Sequence, residues 1–314
     1  MRIGIVVDSA CDLPKDFFEK HDIVILPVAV KIRDAVLVDQ RDEAATLAFV
    51  QEHVAERGHE AETTPFTVEQ IRDLFLQELV MAYDHVFCLT ISKQRSQIHE
   101  NALQASYAIL NEYKPIRQAA GYNSPFALRV LDTLNLFSGQ GVSAVEAVRL
   151  RDEGATPPAI RVRLDQLARN TYGYMIPRDL YYLRNRARTK GDRSVGLIGV
   201  ALGSALDIKP VLRAHNGVTE PVAKLRGFEQ ASQKLFEFTA KKVREGLLTP
   251  TVVLSYGGDL AEMRALPGYD ALRGACDEQG VAVYESVMSL TAMVNVGKGA
   301  LGIGFAAPPH QPQF

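Results

Sequence analysis

Residues 3–14 read Ile3-Gly4-Ile5-Val6-Val7-Asp8-Ser9-Ala10-Cys11-Asp12-Leu13-Pro14. A short apolar run stops at Asp8-Ser9, and Asp12-Leu13-Pro14 opens a charged, amphipathic stretch to Lys20. That order predicts a buried strand, a polar loop and a helix, which is how an α/β sheet begins. The alternation continues downstream. Ile23 to Ile32 is predicted as a strand, Glu43 to Ala55 as a helix, and Thr67 to Met81 as a helix capped by Thr67 with Gln70 three residues on. His85 to Ile91 is predicted as a strand delivering the polar loop Ser92 to Gln97, followed by a helix from Glu100 to Glu112. Phe126 to Leu131 is the next strand, with Asp132-Thr133 at its carboxyl end and Ser138-Gly139-Gln140-Gly141 before a helix through Leu150. Alternation over roughly 150 residues implies a doubly wound, mostly parallel sheet.

The turn-rich Glu153-Gly154-Ala155-Thr156-Pro157-Pro158 marks the expected division into an N-terminal α/β domain, 1–157, and a C-terminal domain, 158–314. A chain of 314 residues exceeds what one hydrophobic core usually serves, so two domains are expected. In the second half, Ile160 to Thr171 is predicted as a helix. Tyr172 to Ile176, Val211 to Ala214, Val218 to Lys224, Thr251 to Tyr256, Val281 to Glu285 and Val294 to Phe305 are predicted as strands. Several are joined too closely for a helix, so this half is expected to be α+β with a mixed or antiparallel sheet. Leu197 to Ala205 is apolar, with Gly199 and Gly203 where close packing favours small residues.

Composition narrows the function classes. Hydrophobic residues are 47% and charged residues 23% of the chain, an ordinary globular balance that argues against disorder. The 35 basic and 37 acidic residues leave a net charge of -2, without the basic surplus that neutralises a phosphate backbone, so no nucleic-acid partner is expected. Cys11, Cys88 and Cys276 are odd in number and widely spaced, which supports neither a disulfide framework nor a zinc site. No run of 18 apolar residues occurs, and Asp8 interrupts the first apolar run too early for a signal peptide. A cytoplasmic protein without stable membrane insertion is expected.

Ligands of doubly wound sheets collect at the carboxyl ends of the strands. The candidate polar positions there are Asp8, Ser9, Ser92, Asp132, Thr133, Ser138 and Gly139. Thr63-Thr64-Pro65-Phe66 reads as a hydroxyl-rich turn before a helix, where hydroxyls and free N–H groups suit an anion. No base accompanies these hydroxyls: a lipase-type Gly-x-Ser-x-Gly turn is absent, and the seven histidines form no His-x-x-x-His pattern. Neither a complete Rossmann glycine fingerprint nor a Gly-Lys-Ser/Thr phosphate loop is present, and Asp8 lacks an Asp-x-Asp companion for magnesium. No catalytic residue and no metal ligand is assigned. The segment Arg178 to Arg188 is the densest cationic stretch, read either as a solvated face or as a patch for phosphate, carboxylate or a partner.

In this order, the motifs resemble the DegV family of bacterial fatty-acid-binding proteins along essentially the whole chain. Val7-Asp8-Ser9-Ala10-Cys11-Asp12-Leu13-Pro14 is similar to the family's Thr-Asp-Ser-x-x-Asp-Leu-Pro, and Thr63-Thr64 sits where it has Thr-Ser-Gln-Pro. Ile91-Ser92 through Ser96 resembles Ile-Ser-Ser-x-Leu-Ser-Gly-Thr. Asp132-Thr133 with Ser138-Gly139-Gln140-Gly141, Asp207-Ile208-Lys209-Pro210 and Lys224-Leu225-Arg226 resemble its later motifs. The resemblance implies a ligand tunnel between two domains that buries a long-chain fatty acid, with no other cofactor. It implies carboxylate binding by Thr63, Thr64, Ser96 and Asn295, and a partner- or phosphate-facing set of Arg184, Arg186, Arg188, Lys209 and Arg226. The partner implied is a separate ATP-dependent fatty acid kinase. Three departures stand out: Arg186-Ala187-Arg188 replaces Gly-Gly-Arg, Asn295-Val296-Gly297-Lys298-Gly299 replaces His-x-Gly-Pro-Gly, and Ser96-Gln97-Ile98 lacks the Gly-Thr that follows the serine. Two other readings stay open: an enzyme using Asp8, Asp132 and Arg188 on a small carboxylated or phosphorylated substrate, and a lipid-sensing interaction protein.

Overall fold

The computed structural model describes residues 1–32, 34–53, 61–180 and 207–314. Ile3–Asp8 (β1) is a strand buried except at its first residue, because Ile5, Val6 and Val7 have apolar neighbours on both faces. The chain passes through Lys15–Lys20 (α1) into Ile23–Leu26 (β2), which pairs parallel with β1. His85–Thr90 (β6) and Ala127–Asp132 (β7) complete a fully parallel four-stranded sheet in the order β2-β1-β6-β7.

The strand expected over Ile23 to Ile32 is two strands. Pro27 separates β2 from Val28–Ile32 (β3), which belongs to another sheet with Ala35–Asp39 (β4) and Ala61–Pro65 (β5), all antiparallel. Proline offers no N–H to a ladder, so the chain changes sheets there. The Val28 N–H, released by the turn, donates to Ser9 Oγ at 3.1 Å. Thr63 and Thr64 lie in strand β5 rather than in a turn before a helix.

The helices of this half are Glu43–His53 (α2), Val68–Leu74 (α3) continued by a π turn over Phe75–Leu79, Ile98–Ala108 (α4) and Tyr113–Ala119 (α5). Thr67 and Gln70 form the expected capping box. Ser138–Asp152 (α6) and Pro157–Ala168 (α7) follow. The turn expected to divide the chain falls at the start of α7. Ile160, Leu164 and Leu167 of that helix pack in one cluster with Ile5, Val7 and Phe87 of the parallel sheet.

Thr171–Ile176 (β8), Ile208–His215 (β9), Val218–Arg226 (β10), Thr251–Tyr256 (β11), Ala282–Val287 (β12) and Leu301–Ala306 (β13) form a six-stranded sheet in the order β10-β9-β8-β13-β11-β12. Every pair is antiparallel except β11 with β12. Phe228–Glu245 (α8), Leu260–Arg264 (α9) and Tyr269–Glu278 (α10) precede Leu290–Val296 (α11). The strand expected from Val294 onward therefore begins only at Leu301, because Ser289 caps a helix by accepting from the Ala292 N–H.

The largest apolar cluster spans both halves. It joins Val30, Ile71 and Ile98 of the first half to Met175, Leu212, Met293 and Val294 of the second. Cys11, Cys88 and Cys276 are buried thiols. Among the described residues no helix is long and apolar enough to cross a membrane.

Candidate functional site

The carboxyl ends of β1, β6 and β7 lie side by side, as the parallel register requires. Asp8 ends β1 completely buried. Its Oδ1 accepts from the Ala10 N–H at 3.0 Å, and its Oδ2 accepts from the Ile91 N–H at 2.6 Å and from Gln140 Nε2 at 3.1 Å. Burial pushes its carboxyl up to about 6, although these three donors act in the opposite direction.

Ser9 accepts from Val28, as described above, and the Ser92 N–H donates to Asn135 O at 2.9 Å. Thr133 Oγ1 donates to Thr90 O at 2.8 Å. Ser138 and Gly139 open α6 against β13: a Cβ on Gly304 would stand 2.3 Å from Ser138 O. Ser9, Ser92, Thr133, Ser138 and Gly139 are all buried with Asp8, while Asp132 is part-exposed. Asp8, Ser9, Ser92 and Thr133 thus hydrogen-bond strand ends and the loops after them to one another, and Ser138 packs against β13 of the second half.

A charge substitution at Asp8 tests that arrangement. A carboxyl raised in the fold stabilises most below its unfolded value of about 3.9, and the contribution is lost as pH rises through its folded value. The cost of Asp8→Asn is therefore expected to be about 1 kcal/mol greater at pH 5 than at pH 7. Urea unfolding of both proteins at the two pH values measures it, and a pH-independent cost would show that Asp8 does not titrate in this window.

Two residues that sequence reading missed join the halves. Asn135 lies between Leu134 and Phe137, both in the left-handed region at φ 54° and 52°. Its Nδ2 donates to Thr171 O at 2.9 Å and Ala214 O at 3.1 Å, which fixes β8 and β9 against the loop after β7. Arg41, 2% exposed, donates through Nη2 to Leu13 O at 3.3 Å and Val287 O at 2.8 Å, and its Nη1 is 3.8 Å from Asp12 Oδ1. Asp12 accepts from the Ser289 N–H at 2.8 Å, and Asp39 accepts from the Leu290 N–H at 3.1 Å. Two N-terminal carboxylates thus hold the start of α11. Burial raises both of them, and Arg41 opposes the rise. Nothing local in Asp39-Gln40-Arg41-Asp42 separates this arginine from a surface one, because its partners are distant in sequence.

Strand alternation separates the two threonines expected at the head group. Thr63 pairs with Val30 and shares its face, which is buried, whereas Thr64 pairs with Ala29 on the opposite face and is exposed. Ser96 is part-buried, and its Oγ accepts from the Ile98 N–H at 3.2 Å, which leaves its own proton available to a ligand. Asn101 of α4 donates to Phe66 O at 2.8 Å, drawing the Ser96 loop toward the end of β5. Asn295 lies on α11, with Nδ2 donating to Thr291 O at 2.6 Å. Thr63 pairs with Val30, Ser96 stands two residues before Ile98, and Asn295 lies between Val294 and Val296; these four apolar residues are members of the cluster that spans the halves.

Lys209 Nζ donates to Arg178 O at 2.7 Å and pairs with Asp207 at 3.0 Å, while Arg226, across the hairpin, is exposed. Arg184, Arg186 and Arg188 lie outside the described residues, as does Leu197 to Ala205. Among the described residues no three His, Cys, Asp or Glu side chains are grouped as metal ligands. A surface groove of about 350 Å³ beside the edge strand β2, lined by Lys15, Phe18, Ile23, Ile25 and Tyr83, contains none of the expected site residues.

The sequence model of the family described as "Uncharacterised protein, DegV family" matches residues 2–308. A DegV domain-containing protein of Xanthomonas axonopodis pv. citri is 75% identical over 310 residues, 99% of each chain. A Thermotoga maritima protein named fatty acid-binding protein is 25% identical over 305 residues, 97% of each chain. Among solved structures, a DegV lipid-binding protein from Thermotoga maritima superimposes with a TM-score of 0.76 at 24% identity, covering 98% of this chain and 99% of that one. The Streptococcus pneumoniae fatty acid kinase B3 protein loaded with linoleic acid does so with a TM-score of 0.72 at 18% identity, covering 98% of this chain and all of that one.

Proposed function

The chain belongs to the DegV family, and from that membership we propose that it is a fatty-acid carrier, burying a long acyl chain between its halves and performing no covalent chemistry itself. The observation that carries the reading is the apolar cluster shared by β3, α3, α4, β8, β9 and α11, with hydroxyls of Thr63 and Ser96 and the amide of Asn295 beside it. Each buried methylene contributes about 0.8 kcal/mol, so apolar enclosure supplies most of the affinity and a few donors orient the carboxylate. Relatives named as a fatty acid-binding protein and as a fatty acid kinase component support the same ligand. Presentation of the carboxylate to a separate kinase, with the exposed Arg226 among the docking residues, is the finer part of this proposal. The enzyme alternative draws less support, since Asp8 is enclosed and engaged by three donors.

Extraction of the purified protein under denaturing conditions, followed by mass spectrometry, is expected to release about one long-chain fatty acid per chain, since a buried acyl chain dissociates slowly. Absence of lipid together with no uptake of added fatty acid would overturn the carrier reading. Replacing Thr63 and Ser96 together with Ala is expected to weaken fatty-acid binding by about 2 kcal/mol, the worth of two hydrogen bonds to a carboxylate. Thr64→Ala serves as the control and is expected to leave affinity unchanged.

A further inference from the structure

Building on the carrier reading, we propose that Thr291 is a specificity-determining residue whose hydroxyl donates to the ligand's carboxylate. It would supply a head-group contact one helical turn before Asn295. Thr291 stands in the first turn of α11 and is 9% exposed. Its Oγ1 is buried and has no hydrogen-bond partner among the described residues. Native folds rarely leave a buried hydroxyl unpaired, so an orphan one turn from Asn295, on the helix of the proposed head-group site, suits a partner that arrives with the ligand.

The local hydrogen bonds explain why the hydroxyl is unused. Ser289 Oγ takes the Ala292 N–H, and the Leu290 N–H goes to Asp39. The cap of α11 is therefore made without the Thr291 hydroxyl.

Residues four apart lie on one helix face, so Thr291 and Asn295 are neighbours there. Asn295 commits an N–H to Thr291 O, at 2.6 Å, and that bond fixes the amide against the same turn. A carboxylate accepts hydrogen bonds only, and one of the two amide N–H groups of Asn295 is already engaged by Thr291 O. The threonine hydroxyl is a free donor on that face and strengthens when its acceptor is charged. The pair would thus recognise an anionic head group without a cationic side chain on α11's own face.

The test uses the full chain after delipidation, with Thr291→Val and Thr291→Ser, titrated calorimetrically with palmitate and with hexadecanol. Thr291→Val is expected to lose about tenfold in palmitate affinity and less than about twofold in hexadecanol affinity, because only the carboxylate gains a charge-assisted bond. Thr291→Ser is expected to keep palmitate affinity within about threefold, since it retains the donor. The ligand-free Thr291→Val protein is expected to melt no lower than the parent, because removing an unpaired hydroxyl relieves a desolvation cost. Unchanged palmitate affinity in Thr291→Val would overturn the assignment. So would equal losses for both ligands, which would mark the hydroxyl as a water-binding or packing group. A parent protein that binds neither ligand would overturn the carrier reading itself, and this assignment with it.

Discussion

Arg41→Met is expected to cost about 3–5 kcal/mol, enough to unfold much of the protein at moderate urea, because it strands two buried carboxylates. Asp12 and Asp39 are almost wholly enclosed, and both lose their counter-charge with this guanidinium. The substitution also leaves Leu13 O and Val287 O without the Nη2 donor. Methionine fills much of the volume, so the loss would report charge and hydrogen bonding rather than a cavity. A second variant, Arg41→Met with Asp12→Asn, is expected to recover part of the loss, since neighbours in one network are not additive. Equilibrium urea unfolding of the single and double variants measures both effects. A single-variant cost under about 1 kcal/mol, the range of surface ion pairs, would mean that this seam is solvated. The seam bears on the proposed head-group site because it holds the start of α11, the helix that carries Thr291 and Asn295.

Gly304→Ala is the second large effect, expected to cost about 3 kcal/mol or more and to lower soluble yield, at the upper end of overpacking changes. A Cβ at this position would lie 2.3 Å from Ser138 O, 2.4 Å from Ser138 C and 2.7 Å from the Gly139 N. All three are backbone atoms at the start of α6 and cannot rotate aside. Either α6 moves off β13 or the strand bends, and each separates the parallel sheet from the mixed one. Gly274→Ala provides the contrast. It lies within α10 with nothing near its would-be Cβ, so a gain of up to about 1 kcal/mol is expected from helix propensity. Thermal melts of the two variants against the parent check the pair. If Gly304→Ala melted like the parent, the close approach of α6 to β13 would not be part of the stable fold.

What the sequence determined by itself was whatever depends on near neighbours and periodicity. Apolar runs ending in polar loops placed β1, β6, β8 and β11 within a residue of their observed bounds. The Thr67 capping box was equally readable, because cap chemistry acts over a few residues. The order of motifs named the family, which the match over residues 2–308 bears out. Local reading failed where distant parts of the chain decide the outcome. Ser289 and the carboxylates of Asp12 and Asp39 turn the apolar segment after it into helix α11, though its composition reads equally well as strand. Thr63 and Thr64 are indistinguishable in sequence, and only pairing with β3 sends one toward the core and the other to solvent. Asp8 and Ser9 have the residue types of a binding loop, and only the fold shows that they are buried and hydrogen-bonded to Ile91 and Val28. Arg41 and Asn135 carry no local signature at all, since their partners lie as far away as Val287 and Ala214. A polar residue's role follows from whether its partners are protein or solvent, and that is settled only when residues far apart in the chain are packed together.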